Sequence, residues 1–377
     1  MFETLTHLSL QQYWWMIIAV IGSALVFLMF VQGGQTLIYT IGKTDEERTL
    51  IINTLGRKWE FTFTTLVVFG GAFFAAFPLF YSTSFGGAYW VWMILLFAFI
   101  FQAVSYQFRT KPNNFFGSRV YEGFLQMNGI VATFLLGVIV ATFFTGSPFT
   151  ISDMKEMNWM ENTRGLELLL NPHNLMMGFA VFFLARVLGL LYIINTVGDD
   201  TIYERSKKRL WIESIAFVVT FLSFVIWLMF IDGYAVVPET GEIFMQPYKY
   251  FNNFIEMPVV LIGFLVGVVL VLTGIIQTLF TKGHNGIWWS GAGTIITVFT
   301  IFMIAGFNNT SFYPSYYDIQ SSITIINSSS SHYTLATMGY VSLMLPIVAG
   351  YIWLTWRAIN KHKITKEEIN SKDTHSY

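Results

Sequence analysis

Nine long apolar stretches, separated by polar segments, set the pattern of this chain. Each contains about 20 mostly apolar residues, the length that an α-helix needs to cross the hydrocarbon core of a bilayer. Tryptophans and tyrosines gather near the ends of these stretches, as they do at membrane–water interfaces. The pattern predicts an all-α, polytopic transmembrane helix bundle, with spanning helices near residues 14–39, 61–81, 88–106, 123–144, 175–194, 211–231, 259–279, 288–307 and 335–356.

Lysines and arginines alternate between the two sides of this predicted bundle. The side that holds the C-terminus, called the in side here, carries all but four of the 21 basic residues. Lys155, Arg164 and Lys249 lie in loops on the other side, and Arg186 lies within the fifth span. Because basic residues concentrate in cytoplasmic loops, we expect an outside N-terminus and a cytoplasmic C-terminus.

The whole chain, residues 1–377, is therefore predicted to be one integral membrane domain. We expect a first group of four helices over residues 14–144 and an outer loop over 145–174. Five further spans follow over residues 175–356, and a basic cytoplasmic tail occupies residues 357–377.

Composition narrows the chemistry that the chain can perform alone. It is 54% hydrophobic and 11% charged, whereas a typical soluble domain is about 25% charged. The net charge of −1 provides no field to attract nucleic acid. Without cysteine the chain has no disulfide, cysteine-bound zinc or iron–sulfur cluster. None of the six histidines lies deep in a predicted span, so we expect no metal site and no catalytic residue in this chain alone.

A few charged residues lie in or next to the predicted spans. A charge at the centre of a bilayer costs about 2.5–3.5 kcal/mol on insertion scales, so each needs an explanation. Glutamates at the ends of spans interact favourably with the helix dipole or reach the interface, and the alternative is a functional carboxylate; they are Glu60, Glu122, Glu213 and Glu256. Arg186 lies in the middle of the fifth span and needs a buried partner, in a structural ion pair or as a functional charge.

Several short segments resemble, in order, those of subunit II of the cytochrome bd-type quinol oxidases. The most specific is Gly-Gly-Ala-Phe-Phe-Ala-Ala-Phe-Pro at residues 70–78. The others are residues 42–48, 52–53, 58–60, 101–109, 121–123, 146–149, 171–172, 231–234, 251–253, 313–315, 330–331, 334–335, 346 and 364–369. The likeness extends over nearly the whole chain, and the nine spans agree with the architecture of that family.

The resemblance implies a subunit of a complex that oxidises a membrane quinol and reduces dioxygen to water. In this family haem b, haem d and the quinol-oxidising site belong to subunit I, the expected partner of this chain. Subunit II is needed for assembly and for haem retention. The resemblance also implies contact with membrane lipid, a structural quinone, and room for a small accessory subunit.

The family also implies a proton path through subunit II, and here the chain departs from the family pattern. Where the family commonly has Asp-Gly-Phe-Asp, residues 28–31 are Leu-Met-Phe-Val, so both carboxylates are missing. Gln32 and Gln35 nearby are able to bind water but cannot titrate. If the chain conducts protons, we expect Glu60 to take them up on the in side and Glu122 to be the next acid, with Arg109 paired to one of them.

The alternative function is a secondary transporter of an unknown solute. Transporters are also polytopic bundles that contain broken helices and charges within the membrane. No inverted repeat is visible in this sequence, and Arg186 is its one charge in the middle of a span. Co-purification of a haem-bearing subunit distinguishes the oxidase from the transporter.

Overall fold

The computed structural model describes residues 2–112, 114–360 and 363–364. The predicted tail at 357–377 and the tail segment at 364–369 thus lie mostly outside the described residues. Within the described part, nine helices are long and apolar enough to cross a membrane. They are His7–Gln35, Asp45–Ala76, Tyr89–Phe108, Ser118–Thr145, Pro172–Thr196, Asp200–Phe230, Pro258–Phe280, Gly286–Gly306 and His332–Ile359. The prediction of an all-α bundle with nine spans is confirmed.

Several spans consist of more than one helix. In chain order the α-helices are α1 (His7–Leu28), α2 (Phe30–Gln35), α3 (Ile38–Ile41), α4 (Asp45–Gly56), α5 (Trp59–Ala76), α6 (Pro78–Tyr81), α7 (Tyr89–Phe108), α8 (Ser118–Thr145), α9 (Pro172–Thr196), α10 (Asp200–Phe230), α11 (Lys249–Glu256), α12 (Pro258–Phe280), α13 (Gly286–Gly306), α14 (His332–Ser342) and α15 (Leu345–Ile359). Short 3₁₀ segments occupy Phe2–Thr4, Leu166–Leu170 and Ile319–Ser321, and a π-helical turn occupies Ser82–Gly87. Two antiparallel hairpins pair β1 (Phe149–Ile151) with β2 (Met157–Trp159) and β3 (Gly233–Val236) with β4 (Ile243–Gln246).

The second span begins earlier than the apolar pattern predicts, because a polar helix precedes it. Thr44 and Glu47 form a capping box, in which each side chain accepts a hydrogen bond from the backbone N–H of the other residue. This cap starts α4 at Asp45, upstream of the apolar residues. The helix is interrupted at Arg57 and Lys58, and α5 begins at Trp59. Glu60 therefore lies in the first turn of α5.

The first span approaches α9 very closely. Gly33 makes this possible, since a Cβ atom there would lie 1.9 Å from the carbonyl oxygen of Ala185. The helix itself breaks at Met29, between α1 and α2, and Gly33 lies inside α2. This close packing fixes the polar side chains of α2 in the interior of the bundle.

At the end of the bundle opposite the in side, the loops are joined to one another by backbone hydrogen bonds. We call residues 147–170, 233–246 and 308–330 the loop cap. Ser147 N donates to the carbonyl of Pro314 at 2.9 Å, and Ser311 N donates to the carbonyl of Tyr234 at 3.0 Å. Beneath the cap the buried Trp15 packs on Phe312, with 4.5 Å between the ring centroids. The cap and the aromatic residues below it make this end of the bundle densely packed.

An apolar cavity of about 140 Å³ lies in the middle of the bundle. Residues of α1, α5, α8, α9, α10, α12 and α13 surround it, including Val26, Phe69, Phe143, Val181 and Phe302. Most of the buried charged side chains lie nearer the in side, and the candidate site is built there.

Candidate functional site

Buried polar side chains of α2 and α3 face those of α7 in pairs. On one side stand Gln32, Gln35 and Tyr39, and on the other Gln102, Tyr106 and Arg109. Both sets are spaced three or four residues apart, which places their members on one face of a helix. With Glu122 of α8, we call these residues the polar ladder. Its side chains, apart from the half-exposed ring of Tyr39, are almost wholly buried.

The ladder has three rungs. Gln32 Nε2 donates to Gln102 Oε1 at 3.4 Å. One turn nearer the in side, Gln35 Nε2 donates to the hydroxyl oxygen of Tyr106 at 2.9 Å. The third rung joins Tyr39 to Arg109 through the carboxylate of Glu122. A polar line therefore leads from the in side into an otherwise apolar interior.

Glu122 is bonded through both of its carboxylate oxygens. Its Oε1 accepts hydrogen bonds from Nε and Nη2 of Arg109, at 3.0 and 2.7 Å. Its Oε2 accepts a bond from the Tyr39 hydroxyl at 2.7 Å and lies 3.4 Å from Nε of Arg48. The carboxylate is 3% exposed and both arginines are buried. Two guanidinium groups thus compensate the burial of one carboxylate.

Tyr39 is held in its protonated form. Burial raises the pKa of its hydroxyl, and the hydrogen bond to Glu122 raises it further. The hydroxyl consequently stays a donor at neutral pH. It connects the α2–α3 side of the ladder to the carboxylate of α8.

At the inner end of the ladder, several amide atoms lack partners. Gln32 Oε1, Gln35 Oε1 and Gln102 Nε2 accept or donate no hydrogen bond within the described part of the chain. Leaving a buried polar group unpaired costs about 1–3 kcal/mol. Internal water satisfies mixed donors and acceptors of this kind. The inner rungs therefore fit a small group of internal water molecules.

A second charged cluster lies on the other side of α2. Arg186 of α9 makes a bidentate pair with Glu213 of α10, from Nε at 2.8 Å and from Nη2 at 2.6 Å. Its Nη1 donates to Thr36 Oγ1 at 2.9 Å. Arg209 Nε lies 2.6 Å from the same carboxylate. Arg186 thus has the buried carboxylate partner that its position in the middle of a span requires.

Glu60 lies apart from both clusters. It is exposed on the outer face of α5, and it forms no ion pair or hydrogen bond with any residue that the structure describes. Thr64, Val67, Gly71 and Phe74 continue the same exposed face at helical spacing. The structure brings Glu122 and Arg109 together but does not bring Glu60 to them.

Sequence reasoning identified Gln32, Gln35, Glu122 and Arg109 but not the rest of the ladder. Tyr39, Gln102 and Tyr106 were missed, and so was Arg48, which lies beside the ladder at Glu122. A signal for Gln102 was present, because it lies seven residues before Arg109 in an apolar segment and so shares a helix face with it. The sequence could not indicate the hydrogen-bond partner of each ladder residue, because that partner comes from a distant segment of the chain.

Comparison with known proteins gives consistent matches over nearly the whole chain. The family model described as cytochrome bd terminal oxidase subunit II matches residues 10–359. Subunit 2 of the cytochrome bd-I ubiquinol oxidase of Escherichia coli K12 is 27% identical over 384 residues, covering 97% of this chain and 98% of that protein. Subunit 2 of the cytochrome bd ubiquinol oxidase of Bacillus subtilis 168 is 27% identical over 384 residues, covering 98% and 99%.

The fold also matches a solved structure. A chain of the bd oxidase from Geobacillus thermodenitrificans superposes with a TM-score of 0.65 at 13% identity. The match covers 94% of this chain and all of the other. At that identity the likeness concerns the fold alone.

Proposed function

The chain belongs to the family of cytochrome bd terminal oxidase subunit II and is a subunit of a quinol oxidase complex, and we propose that it is the haem-free partner that stabilises the haem-bearing subunit I. The family match over residues 10–359 carries this proposal. Haem b and haem d would be held by subunit I, and the complex would lie in a bacterial plasma membrane with the C-terminus of this chain in the cytoplasm. The relatives named above are oxidase subunits, and none is a transporter.

The face that docks on subunit I is proposed to combine the outer side of α5 with α15. Trp356 is the one buried side chain of α15, and the rest of that helix contacts little of this chain. α14, which precedes it, packs against α5, so the two surfaces are neighbours. The carboxylate of Glu60 lies on this face, where a cationic or hydrogen-bonding group of another protein would compensate it better than lipid chains do.

Gly71 provides a direct test of this face. A Cβ atom at Gly71 would meet nothing within 4 Å, so Gly71→Trp fits this subunit but would obstruct a partner packed against α5. We expect at least a tenfold loss of haem that co-purifies with the tagged variant. Val269→Trp, on the exposed outer face of α12, is the matched control and should keep its haem. Full haem retention by Gly71→Trp would exclude this docking face.

The proton path is proposed to use Glu60, Glu122 and Arg109. Glu60 would take up protons at the interface with subunit I. The Glu122–Arg109 pair would anchor the in-side end of the ladder, and water at the inner amides would continue the route. The unpaired amide atoms of Gln32, Gln35 and Gln102 support this proposal, because they are buried groups that bind water within the apolar interior.

Glu60→Gln tests the path most directly. The Glu60 side chain has no partner within the described chain, so the substitution removes no contact that stabilises this subunit. We expect quinol oxidase turnover to fall several-fold with unchanged haem content. Glu256→Gln, at the opposite end of the bundle, is the control and should retain its turnover. Unchanged turnover of Glu60→Gln would end the proposal while leaving the role as a partner subunit intact.

A structural quinone is proposed to occupy the apolar cavity with part of its isoprenoid chain. The lining is almost entirely apolar and therefore fits a hydrocarbon segment, but it provides no built site for a polar headgroup. Val181→Trp would fill the cavity and should lower the quinone extracted per haem from the purified complex. An unchanged ratio, with Val269→Trp as the control, would contradict this assignment.

A further inference from the structure

Two histidines meet at the surface of the bundle, at the end opposite the in side. His7 is the first residue of α1 and His332 is the first residue of α14. Their ring centroids lie 6.1 Å apart at an interplanar angle of 70°. His7 is exposed and His332 is half-buried, so both are reached from solvent.

Each ring is fixed by a backbone carbonyl next to the other histidine. His7 Nε2 lies 3.0 Å from the carbonyl oxygen of Ser330, and His332 Nε2 lies 2.9 Å from that of Leu5. A carbonyl oxygen only accepts hydrogen bonds, so Nε2 of each ring must carry the proton. In a neutral ring this leaves the lone pair on Nδ1, and no described residue bonds to the Nδ1 atom of either ring.

This arrangement is typical of histidines that bind metal. A ligating imidazole usually donates its other N–H to a carbonyl or a carboxylate, which fixes its tautomer. With metal–nitrogen bonds of about 2.0–2.1 Å, two imidazoles that share one tetrahedral ion have ring centroids about 5 Å apart. The observed centroids lie 6.1 Å apart, so the two rings must approach each other by about 1 Å to share one ion.

We propose that His7 and His332 form a binding site for a borderline divalent metal ion such as Zn²⁺, with water completing its coordination. The described residues contain no group of three or more metal-binding side chains, so two protein ligands and exchangeable waters make this an open site. The bound ion would join the N-terminal segment to the start of the last span.

Zn²⁺ titration of the purified two-subunit oxidase, after treatment with a chelator, tests the site. We expect one Zn²⁺ to bind by calorimetry and affinity to fall at least tenfold in both His7→Gln and His332→Gln. Glutamine keeps an amide N–H for the carbonyl but has no imidazole lone pair. His284→Gln is the matched control, since His284 lies at the in side with a ring bonded to the carbonyl of Ile194, and its affinity should equal that of wild type.

A spectroscopic measurement keeps the proposal testable if one variant assembles poorly. Cu²⁺ bound to the chelator-treated wild-type complex should show coupling to two imidazole nitrogens in its electron paramagnetic resonance spectrum, and His332→Gln should lose this signal. The visible haem spectrum verifies that each variant has folded. Zn²⁺ affinity within twofold of wild type in either glutamine variant, or Cu²⁺ coupled to no imidazole pair, would overturn the proposal.

Discussion

Two glutamates at the in-side ends of the second and fourth spans have opposite surroundings. Glu122 of α8 is buried, accepts hydrogen bonds from Arg109 and Tyr39, and forms an ion pair with Arg48. Glu60 of α5 is exposed and has no such partner in the described chain. Both begin an apolar segment, and from sequence they look alike.

The difference separates what this subunit stabilises by itself from what it presents to others. A buried carboxylate must be compensated within its own fold, and Glu122 has two arginines for that purpose. A carboxylate on an outer membrane face is compensated by headgroups, water or another protein. We therefore expect substitutions at Glu122 to act on the stability of this chain, and substitutions at Glu60 to act on its interface and on turnover.

The largest effect should come from Glu122→Ala. It leaves Arg109 and Arg48 buried without this carboxylate, and removing one partner of a buried ion pair typically costs about 3–5 kcal/mol. Arg48 retains its pair with Asp45, which is solvent-exposed and compensates it only in part. Thermal unfolding of the complex should show a much lower midpoint together with loss of haem. A midpoint equal to that of wild type would show that Glu122 and Glu60 do not differ in this way.

Arg186→Leu should have a somewhat smaller effect. It removes the bidentate partner of Glu213, but Arg209 remains bonded to that carboxylate. We expect a cost of about 3 kcal/mol, at the lower end for a broken buried pair. Arg186→Lys is the control and should recover only part of the loss, because an ammonium group cannot reproduce the two parallel bonds. Thermal unfolding that is unaffected by Arg186→Leu would instead indicate a functional charge.

The sequence predicted the spans well and the ladder poorly, for a physical reason. A membrane span is a local property, since about 20 apolar residues suffice to identify it. A rung of the ladder is not local, because Gln32 and Gln102 meet across 70 positions of the chain. The need of Arg186 for a carboxylate was predicted from its position, but the choice of Glu213 among the glutamates depends on how α9 packs on α10. The two histidines 325 positions apart were likewise invisible to a search for metal-ligand spacing on one helix.

Tyr39→Phe should lower the free energy of unfolding by less than Glu122→Ala or Arg186→Leu does, because Glu122 keeps both of its arginines. A hydrogen bond to a charged group contributes about 1.5–3 kcal/mol, and we expect the lower value at this half-exposed ring. Because the folded state raises the pKa of Tyr39, its contribution is constant below about pH 10 and is lost as the pH rises through the raised value. Unfolding measured between pH 7 and 11 should show this extra alkaline loss in wild type but not in Tyr39→Phe. An identical alkaline slope in the two proteins would exclude the bond as its source.

The smallest effect on stability should come from Glu60→Gln, and for that reason it is the most informative variant. No partner within the described chain is lost, so the free energy of unfolding should change by less than about 0.5 kcal/mol, as for other surface substitutions. Turnover should nevertheless fall. Glu60→Gln should thus lower turnover without lowering stability, whereas Tyr39→Phe should lower stability. If Glu60→Gln instead lowers the unfolding midpoint as strongly as Glu122→Ala, its carboxylate must be compensated in the assembled complex by a buried cation of subunit I. Glu60 would then be a structural member of the interface, and its exposure in the single chain would reflect only the missing partner.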